Sequence, residues 1–403
     1  MAIATGVAKQ LAYKAETTWG TVPAASGAQA LRRVQSNLNL AKQTYQSNEM
    51  RGDYQIADFR HGVRSVAGTI SGELSPGTYK DFIAAALRKD WASVTSITGL
   101  SLTIAASGSY YTVTRGTGSY LSDGVKVGHV VRLTAGSLNA NNLNKNLLVI
   151  GLTALAATVL VLNGTAMTAE GPIASCTMAV PGKETYVPTT GHTDSSFAIE
   201  HWFSDIAQSE VFSGCKVNSV GLALPPSGIS TVELGFMGKD LTTASSQYFA
   251  SPTAATSSGV VAAVNGAVAV NGARVALLTG LQINVSGGMT AEPVVGSNTY
   301  PDIFEGRVVV SGQFTAYFED ATLRDLFVNE TEASIVAAFT TANTAAADFL
   351  AITLPRIKVG GAQKDDGEKG IVQTFPFQAL LNTSGGSGTS SHATTIAIQD
   401  SLA

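Results

Sequence analysis

Apolar and polar positions alternate with a period of two over much of this chain. In residues 230–236, Val232, Leu234 and Phe236 alternate with Thr231, Glu233 and Gly235, so one strand face enters a core and the other stays polar. An apolar run at 217–224 precedes it, and Pro225, Pro226, Ser227 and Gly228 join the two, which predicts a hairpin. Asn265-Gly266 and Asn271-Gly272 mark tight turns, because both residue types tolerate positive φ. Residues 382–391, rich in Ser, Thr and Gly, read as a further turn region. The longest apolar run, 147–162, is too short to span a membrane and is broken by Gly151, Thr153 and Thr158. It reads as two strands with a turn near 154–157.

One segment has helical spacing. From Thr78 to about Lys89, Phe82, Ile83, Ala86 and Leu87 form an apolar stripe. Thr78 is placed to cap the first turn, with Asp81 completing a capping box, and Arg88 and Lys89 suit the C-terminal dipole.

The chain repeats itself. DFRHGVRSVAGTISGEL (58–74) recurs as DIFEGRVVVSGQFTAYF (302–318). Gly62 and Gly68 match Gly306 and Gly312, since 306 − 62 and 312 − 68 both equal 244. Carried forward without a gap, that spacing aligns Thr78 with Thr322, Asp81 with Asp325, Phe82 with Leu326 and Ile83 with Phe327. A strand followed by the same capped helix therefore occurs twice. Residues 34–40 precede the first copy as 278–285 precede the second, and a long polar segment follows each, 41–57 and 286–301. The hairpin at 217–236 has its counterpart at 352–380, with a turn around 364–370. Between about Ala92 and Val187 the first copy carries extra sequence. Its runs 113–136 and 147–164 read as strand–turn–strand units, and their apolar content predicts a small β-domain with its own core.

Composition adds one point. Hydrophobic residues make up 45% of the 403, but charged residues only 13%, about half the usual share for a soluble protein. Surfaces this poor in charge suit contact with other protein copies, though a secreted β-protein rich in Ser, Thr and Gly has the same composition. The net charge is −4 with no basic block, which argues against gripping nucleic acid by its phosphates. Cys176 and Cys215 have no metal-site spacing and make no disulfide framework. The opening MAIATGVAKQLAYK lacks the charged-then-apolar order of a signal peptide.

Candidate chemistry is sparse. His192, Asp194, Glu200 and His201 form one compact set of metal-ligand types, without HExxH spacing or a cysteine partner. They read as ordinary surface or interface residues, so no metal is assigned. GTGSYL at Gly116 lacks the third glycine of a dinucleotide loop, Gly182-Lys183 lacks the frame of a P-loop, and no GxSxG elbow occurs. No catalytic or cofactor-binding residue is assigned, and the expectation is a chain that is not an enzyme. Arg51-Gly52-Asp53 spells an adhesion tripeptide in a loop, a match short enough to arise by chance. The sequons beginning at Asn163, Asn284, Asn329 and Asn382 matter only in a eukaryotic secretory pathway.

AYKAETTWGTVPA (12–24) and QSNEMRGDYQIADFRHGVRSVAGTISGELSPGTYKDFIAAAL (46–87) resemble the tail tube proteins, or major tail proteins, of long-tailed phages. SGGMTAEPVVGSNTYPDIFEGRVVVSGQF (286–314) resembles the same pattern more loosely, and the resemblance leaves out the extra segment. It implies a mainly β fold: two tandem tail-tube modules of sandwich or barrel type, each with one short α-helix, plus an inserted small β-domain. The first module would span 1–91 and 188–255, the outward-facing insert 92–187, and the second module 256–403.

The resemblance also implies a function. Subunits of this family in siphophages form rings whose sheets join edge to edge, stacked around a lumen through which double-stranded DNA passes without specific binding. A duplicated module is similar to members that make trimeric, pseudo-sixfold rings rather than hexamers. The long loops would bridge neighbouring rings, with Tyr45, Glu49, Arg51, Asp53 and Tyr54 in one and Met289, Glu292 and Tyr300 in the other. The partners implied are the chain itself, a tape measure protein, and the tail terminator and distal tail proteins, with no cofactor and no membrane. The place is the virion tail, made in the bacterial cytoplasm. Ring closure would pair the edge strands that an open module leaves free, and the lumen wall is expected to carry more carboxylates than Lys or Arg. The rival readings are a secreted or surface β-rich binding module or adhesin, and another tail component. A glycoside-processing enzyme would need paired carboxylates, and no convincing pair is seen.

Overall fold

The computed structural model describes residues 3–366 and 368–403. Residues 1–2 of the opening segment and Gly367 of the expected 364–370 turn lie outside the described residues. The protein is mainly β. The first half opens with β1 (Lys9–Ala15), β2 (Gln29–Ala30) and β3 (Gln35–Ser36), then a long hairpin of β4 (Asn39–Gln46) and β5 (Phe59–Glu73) leading to α1 (Lys80–Leu87). Next come β6 (Ile97–Ser107), β7 (Tyr110–Arg115), β8 (Val130–Ala135), β9 (Leu147–Leu152), β10 (Ala156–Val161) and β11 (Glu170–Ala179). These six close into a barrel in the order β10-β7-β6-β11-β8-β9. The chain returns through β12 (Lys183–Tyr186) to β13 (Phe197–Phe203), β14 (Gln208–Leu224), β15 (Thr231–Gly238) and β16 (Asp240–Ala244). The second half comprises β17 (Gly266–Val270), β18 (Ala273–Arg274), β19 (Leu278–Ser286), β20 (Val309–Tyr317), α2 (Thr322–Val328), β21 (Ala333–Thr340), β22 (Phe349–Val359), β23 (Gln363–Lys364), β24 (Val372–Ala379) and β25 (Ala397–Asp400). Among the described residues no helix is long and apolar enough to cross a membrane.

Local signals behave unevenly. The alternating run forms β15, paired with β14 as expected. Asn271-Gly272, both at positive φ, makes the two-residue turn between β17 and β18. Asn265-Gly266 does not make such a turn: Asn265 ends a single 3-10 turn and Gly266 is extended. The expected polar loop 41–57 is strand as far as Gln46, because its backbone pairs with β5 even though almost every side chain is exposed.

The expected capping box is absent. α1 begins at Lys80 behind Tyr79, whose side chain makes no capping bond. Thr78 is occupied elsewhere, its hydroxyl bonded to those of Ser75 and Thr256. Asp81 accepts the Tyr13 hydroxyl at 2.8 Å and so ties the helix to β1. In the second half Thr322 is already helical, Asp320 accepts its N–H at 2.8 Å, and Asp325 pairs with Arg324. Tertiary hydrogen bonds outcompeted the local cap. Arg88 likewise serves a distant partner rather than the helix dipole. It leaves α1 in the left-handed region, and its guanidinium donates to the carbonyls of Gly306 and Gly287 and sits 3.2 Å from Glu305.

The duplication extends well beyond the segment legible in sequence. β13 pairs with β14 (Phe197↔Cys215, Ile199↔Phe212), with a register shift between Phe197 and Ile199. β21 pairs with β22 in the same way (Ala333↔Ile357, Ile335↔Leu354), with the shift at the same place. β14 against β15 (Val217↔Phe236, Leu222↔Val232) matches β22 and β23 against β24 (Val359↔Phe377, Lys364↔Gln373). β1 with β2 and β13 corresponds to β17 with β18 and β21. β3 and β4 on β5 correspond to β19 on β20. Bulges are specified by local backbone geometry and kept for it, so shared bulges mark one module built twice.

Two of the repeated glycines have a steric reason. A Cβ on Gly68, whose φ is +149°, would lie 2.7 Å from the Asn37 carbonyl, and one on Gly312 would drive into the Gln282 carbonyl and the Phe377 ring. Both allow the neighbouring strand to cross close by. One continuous apolar core, from Leu11 through Ile70, Phe82, Leu222 and Ile283 to Phe314, Leu354 and Ile398, unites both halves. The six-strand barrel has a separate core around Leu102, Val131, Val149 and Met178.

Candidate assembly surface

The strands β4, β5, β15, β14, β19, β20 and β24 form one continuous sheet across both halves, with β22 and β23 beyond β24. The halves meet where β14 pairs antiparallel with β19, from Ser219↔Ser286 to Leu224↔Leu281. Alternation sends Ile70, Leu234, Leu222, Ile283 and Phe314 into the core. The opposite face presents a row that runs straight across the strands: Ser71, Glu233, Gly221, Asn284, Ser311 and Gln378. Over stretches 65–73, 219–223, 231–235, 282–286, 309–317 and 374–378, this face carries Glu73 and Glu233 and no Lys or Arg; the row then ends on Lys358 of β22, beside Gln378 and paired with Glu330. It is a surface of hydroxyls, amides and small residues with a slight negative charge.

Each end of this sheet has an unpaired edge among the described residues. β4 pairs with β5 alone, and β23 with β24 alone. The outward amide of Leu40 is held by the side chain of its own neighbour Asn39, at 3.0 Å. Unpaired edges are templates for another strand unless they are blunted. Neither edge carries a proline, and they are equivalent to the two strands that meet at the β14–β19 junction.

The loop residues anticipated from sequence divide into two groups. Tyr45, Glu49, Arg51, Asp53 and Tyr54 are exposed on the β4–β5 hairpin, with Arg51 and Asp53 paired to each other at 2.9 Å and Tyr54 at positive φ. In the second loop Glu292 is exposed and Tyr300 partly buried, but Met289 is buried against the first half, its N–H bonded to Asn218 at 3.0 Å. This loop lies back on its own chain, with the Asn298 carbonyl accepting the Arg64 N–H at 2.9 Å. Sequence reading missed two apolar tips: Met50 on one loop and Val295 on the other are almost fully exposed, as is the anticipated Tyr54. Large apolar residues inside otherwise polar segments were the available signal.

The barrel belongs to the first half in sequence yet docks on the second. Val130, Leu148, Ile150 and Leu160 on its outside pack against Ala267, Ala269, Val336, Ala338, Phe349 and Ala351. β12 adds to β25, and Gln399 clamps Val130 by accepting its N–H at 2.7 Å and donating to its carbonyl at 3.1 Å. Asn163, the first residue of one sequon, is buried in this contact, donating to Thr340 and to the Ala342 carbonyl. The matching face of the first half keeps Ala12 for Ala269 but carries Gln10, Glu200, Trp202 and Ser209 where the second has Ala267, Val336, Ala338 and Ala351. Only one of the two faces therefore suits the barrel.

The anticipated metal-ligand set does not come together. Glu200 is buried and accepts from Ser209 and from the N–H groups of Tyr248 and Phe249, which anchors a loop. His201 meets Ser36 at 2.8 Å, Asp194 meets Lys216 at 2.7 Å, and His192 is exposed. Three other residues do converge: the Glu184 carboxylate lies 2.6 Å from His129 and 3.0 Å from His392, with Tyr186 stacked on His392. They come from the barrel, its return strand and the C-terminal segment, so no sequence spacing could reveal them. His129 Nδ1 accepts the Lys126 N–H at 3.2 Å, which leaves Nε2 protonated and aimed at Glu184. That tautomer suits a hydrogen-bonded latch rather than a ligand set, because a metal on Nε2 would need the proton on Nδ1. Burial pushes the Glu184 pKa up, but the bonds from both histidines outweigh it and hold the carboxyl well below the usual range. Burial lowers the pKa of His392 despite that partner.

No curated protein matches the chain in sequence. The profile of the family described as phage tail tube protein matches residues 6–379, so the chain belongs to the phage tail tube protein family and is a structural component of the virion tail.

Proposed function

We propose that the chain builds rings of three copies that imitate six, stacked into the tube through which double-stranded DNA leaves the virion. The observation that carries this is the β14–β19 junction. Two copies of one module are joined edge to edge within the chain, and the equivalent pair of edges remains open. A head-to-tail contact of this kind closes when its rotation divides the circle, and fusing two modules makes half of the contacts covalent. The face bearing Glu73 and Glu233, where Lys358 at the edge is paired with Glu330, is the lumen wall, since free fixed cations would hold the phosphates of DNA that must slide. The exposed tips around Met50, Tyr54 and Val295 are the contacts between stacked rings.

In this reading the chain consists of a first module at 1–91 and 188–255, an insert at 92–187 and a second module at 256–403. The insert lies outside the ring, fastened to the second module. Tape measure, tail terminator and distal tail proteins meet the tube within and at its ends. Negative-stain microscopy of purified protein tests the reading, with ring mass by native mass spectrometry. Hollow rings or tubes of three copies support it; a dispersed monomer at high concentration contradicts it.

A further inference from the structure

An ion triad stitches the two halves together. Lys216 is buried, 2% exposed, and its ammonium reaches Asp194 at 2.7 Å, Asp302 at 3.3 Å and the Ile303 carbonyl at 3.0 Å. Lys216 and Asp194 come from the first half and Asp302 from the second. The strand correspondences place Lys358 where Lys216 stands and Glu330 where Asp194 stands, and the sequence repeat places Asp58 where Asp302 stands. Lys358 does pair with Glu330, at 3.5 Å, but its side chain is 45% exposed. Asp58 accepts its own neighbour's N–H, from Phe59 at 2.8 Å, as Asp302 does from Ile303 at 2.7 Å. The Asp58 carboxylate otherwise meets Arg60 and remains half-exposed. A triad complete inside the chain is thus present in two separated parts, one near each open edge.

We infer that a second copy of the chain completes it, and that the two edges pair in the register of β14 and β19. Lys358 of one copy binds Asp58 of the next. Residues 361–365 of the first pair antiparallel with 37–41 of the second. Ala362 then faces Leu40, as Val220 faces Val285 within the chain. The inference rests on the ring reading above and adds its register and its ion pair. Pairing replaces the Asn39 side chain on the Leu40 amide with a backbone carbonyl, as in strand addition generally. The charges set the register, because a two-residue slip parts Lys358 from Asp58.

Cysteine cross-linking of assembled protein tests the register. Leu40→Cys combined with Ala362→Cys should link copies on mild oxidation, giving a ladder on a non-reducing gel that ends at the number of copies per ring. Each single variant should stay monomeric on that gel. The slipped pair Leu38→Cys with Ala362→Cys should link far less. Tubes that form normally while the first pair fails to link, or links less than the slipped pair, overturn the register and leave the ring reading standing. Failure of the unmodified protein to form rings removes both. The ion pair has its own readout in Asp58→Asn and Lys358→Met. Each should raise the concentration needed for assembly by about tenfold, with the subunit's melting temperature unchanged and the double variant no worse than the worse single. Additive losses would show that the two side chains do not meet.

Discussion

Residues in this protein repeatedly serve contacts that their neighbours in sequence do not announce. Gly312 is one example: Gly312→Ala should cost about 1–3 kcal/mol by overpacking against β19 and Phe377, measured by urea denaturation. The Glu184 latch is another, and it fixes a sign for pH. His392 has a folded pKa below its unfolded value of about 6.5, so the unfolded chain binds the extra proton and stability falls as pH drops through that value. Glu184 is held ionised when folded, so its contribution is present above the ordinary carboxylate range and lost as pH falls into it. Asp400 runs the other way, since burial pushes it up to about 6 and acidification through that value favours the fold. Comparing His392→Gln with the parent cancels the Asp400 effect. The variant should lose less stability between pH 7 and 5 in thermal melts.

At the scale of elements, α1 and α2 show how context sets burial. Both follow equivalent strands, yet every residue from Phe82 to Leu87 is buried while Phe327 and Val328 are exposed. α1 lies under β12 and β14, a cover that comes partly from the return of the insert. The β4–β5 hairpin tip has no such cover. Deleting 47–57, which keeps Asp58, and closing the strands with a short turn should leave the melting temperature nearly unchanged and abolish tube growth, read by electron microscopy. Tubes of normal length would remove the role assigned to this loop. Barrel docking is testable in the same spirit. Leu148→Asp places a charge among Ala269, Ala338 and Phe349, a burial costing several kcal/mol. It should free the barrel, so that trypsin releases it from a main body that stays folded.

For the whole molecule, the joined sheet accounts for the low surface charge. In the proposed ring, edges that would be hazards on a monomer would become contacts between copies, and a wall with more carboxylates than free cations would let a polyanion pass. The asymmetry of the insert has a visible consequence in a ring of three. Class averages viewed down the axis should show three outer projections, because the first module's matching face carries Glu200 and Trp202 where the second presents Val336 and Ala338 to the barrel. Six projections would contradict the docking described above.

Sequence by itself determined the period-two strands, the β14–β15 hairpin, the insert's β-character and the repeat that relates Gly62 and Gly68 to Gly306 and Gly312. These are short-range patterns, set by side-chain alternation and by turn chemistry within a few residues. It misjudged the helix caps and the extent of the loop at 41–57, since Thr78 and Asp81 found partners far along the chain and β4 is held by backbone pairing alone. Tertiary structure decided the rest. The duplication of β1, β13 and β14 survives in register and bulges while the side chains have diverged, because backbone pairing constrains geometry more than identity. The placing of the insert on the second module, the meeting of His129, Glu184 and His392, and the Lys216 triad all join residues distant in the chain. Their contacts depend on how whole sheets pack, and no local spacing encodes that.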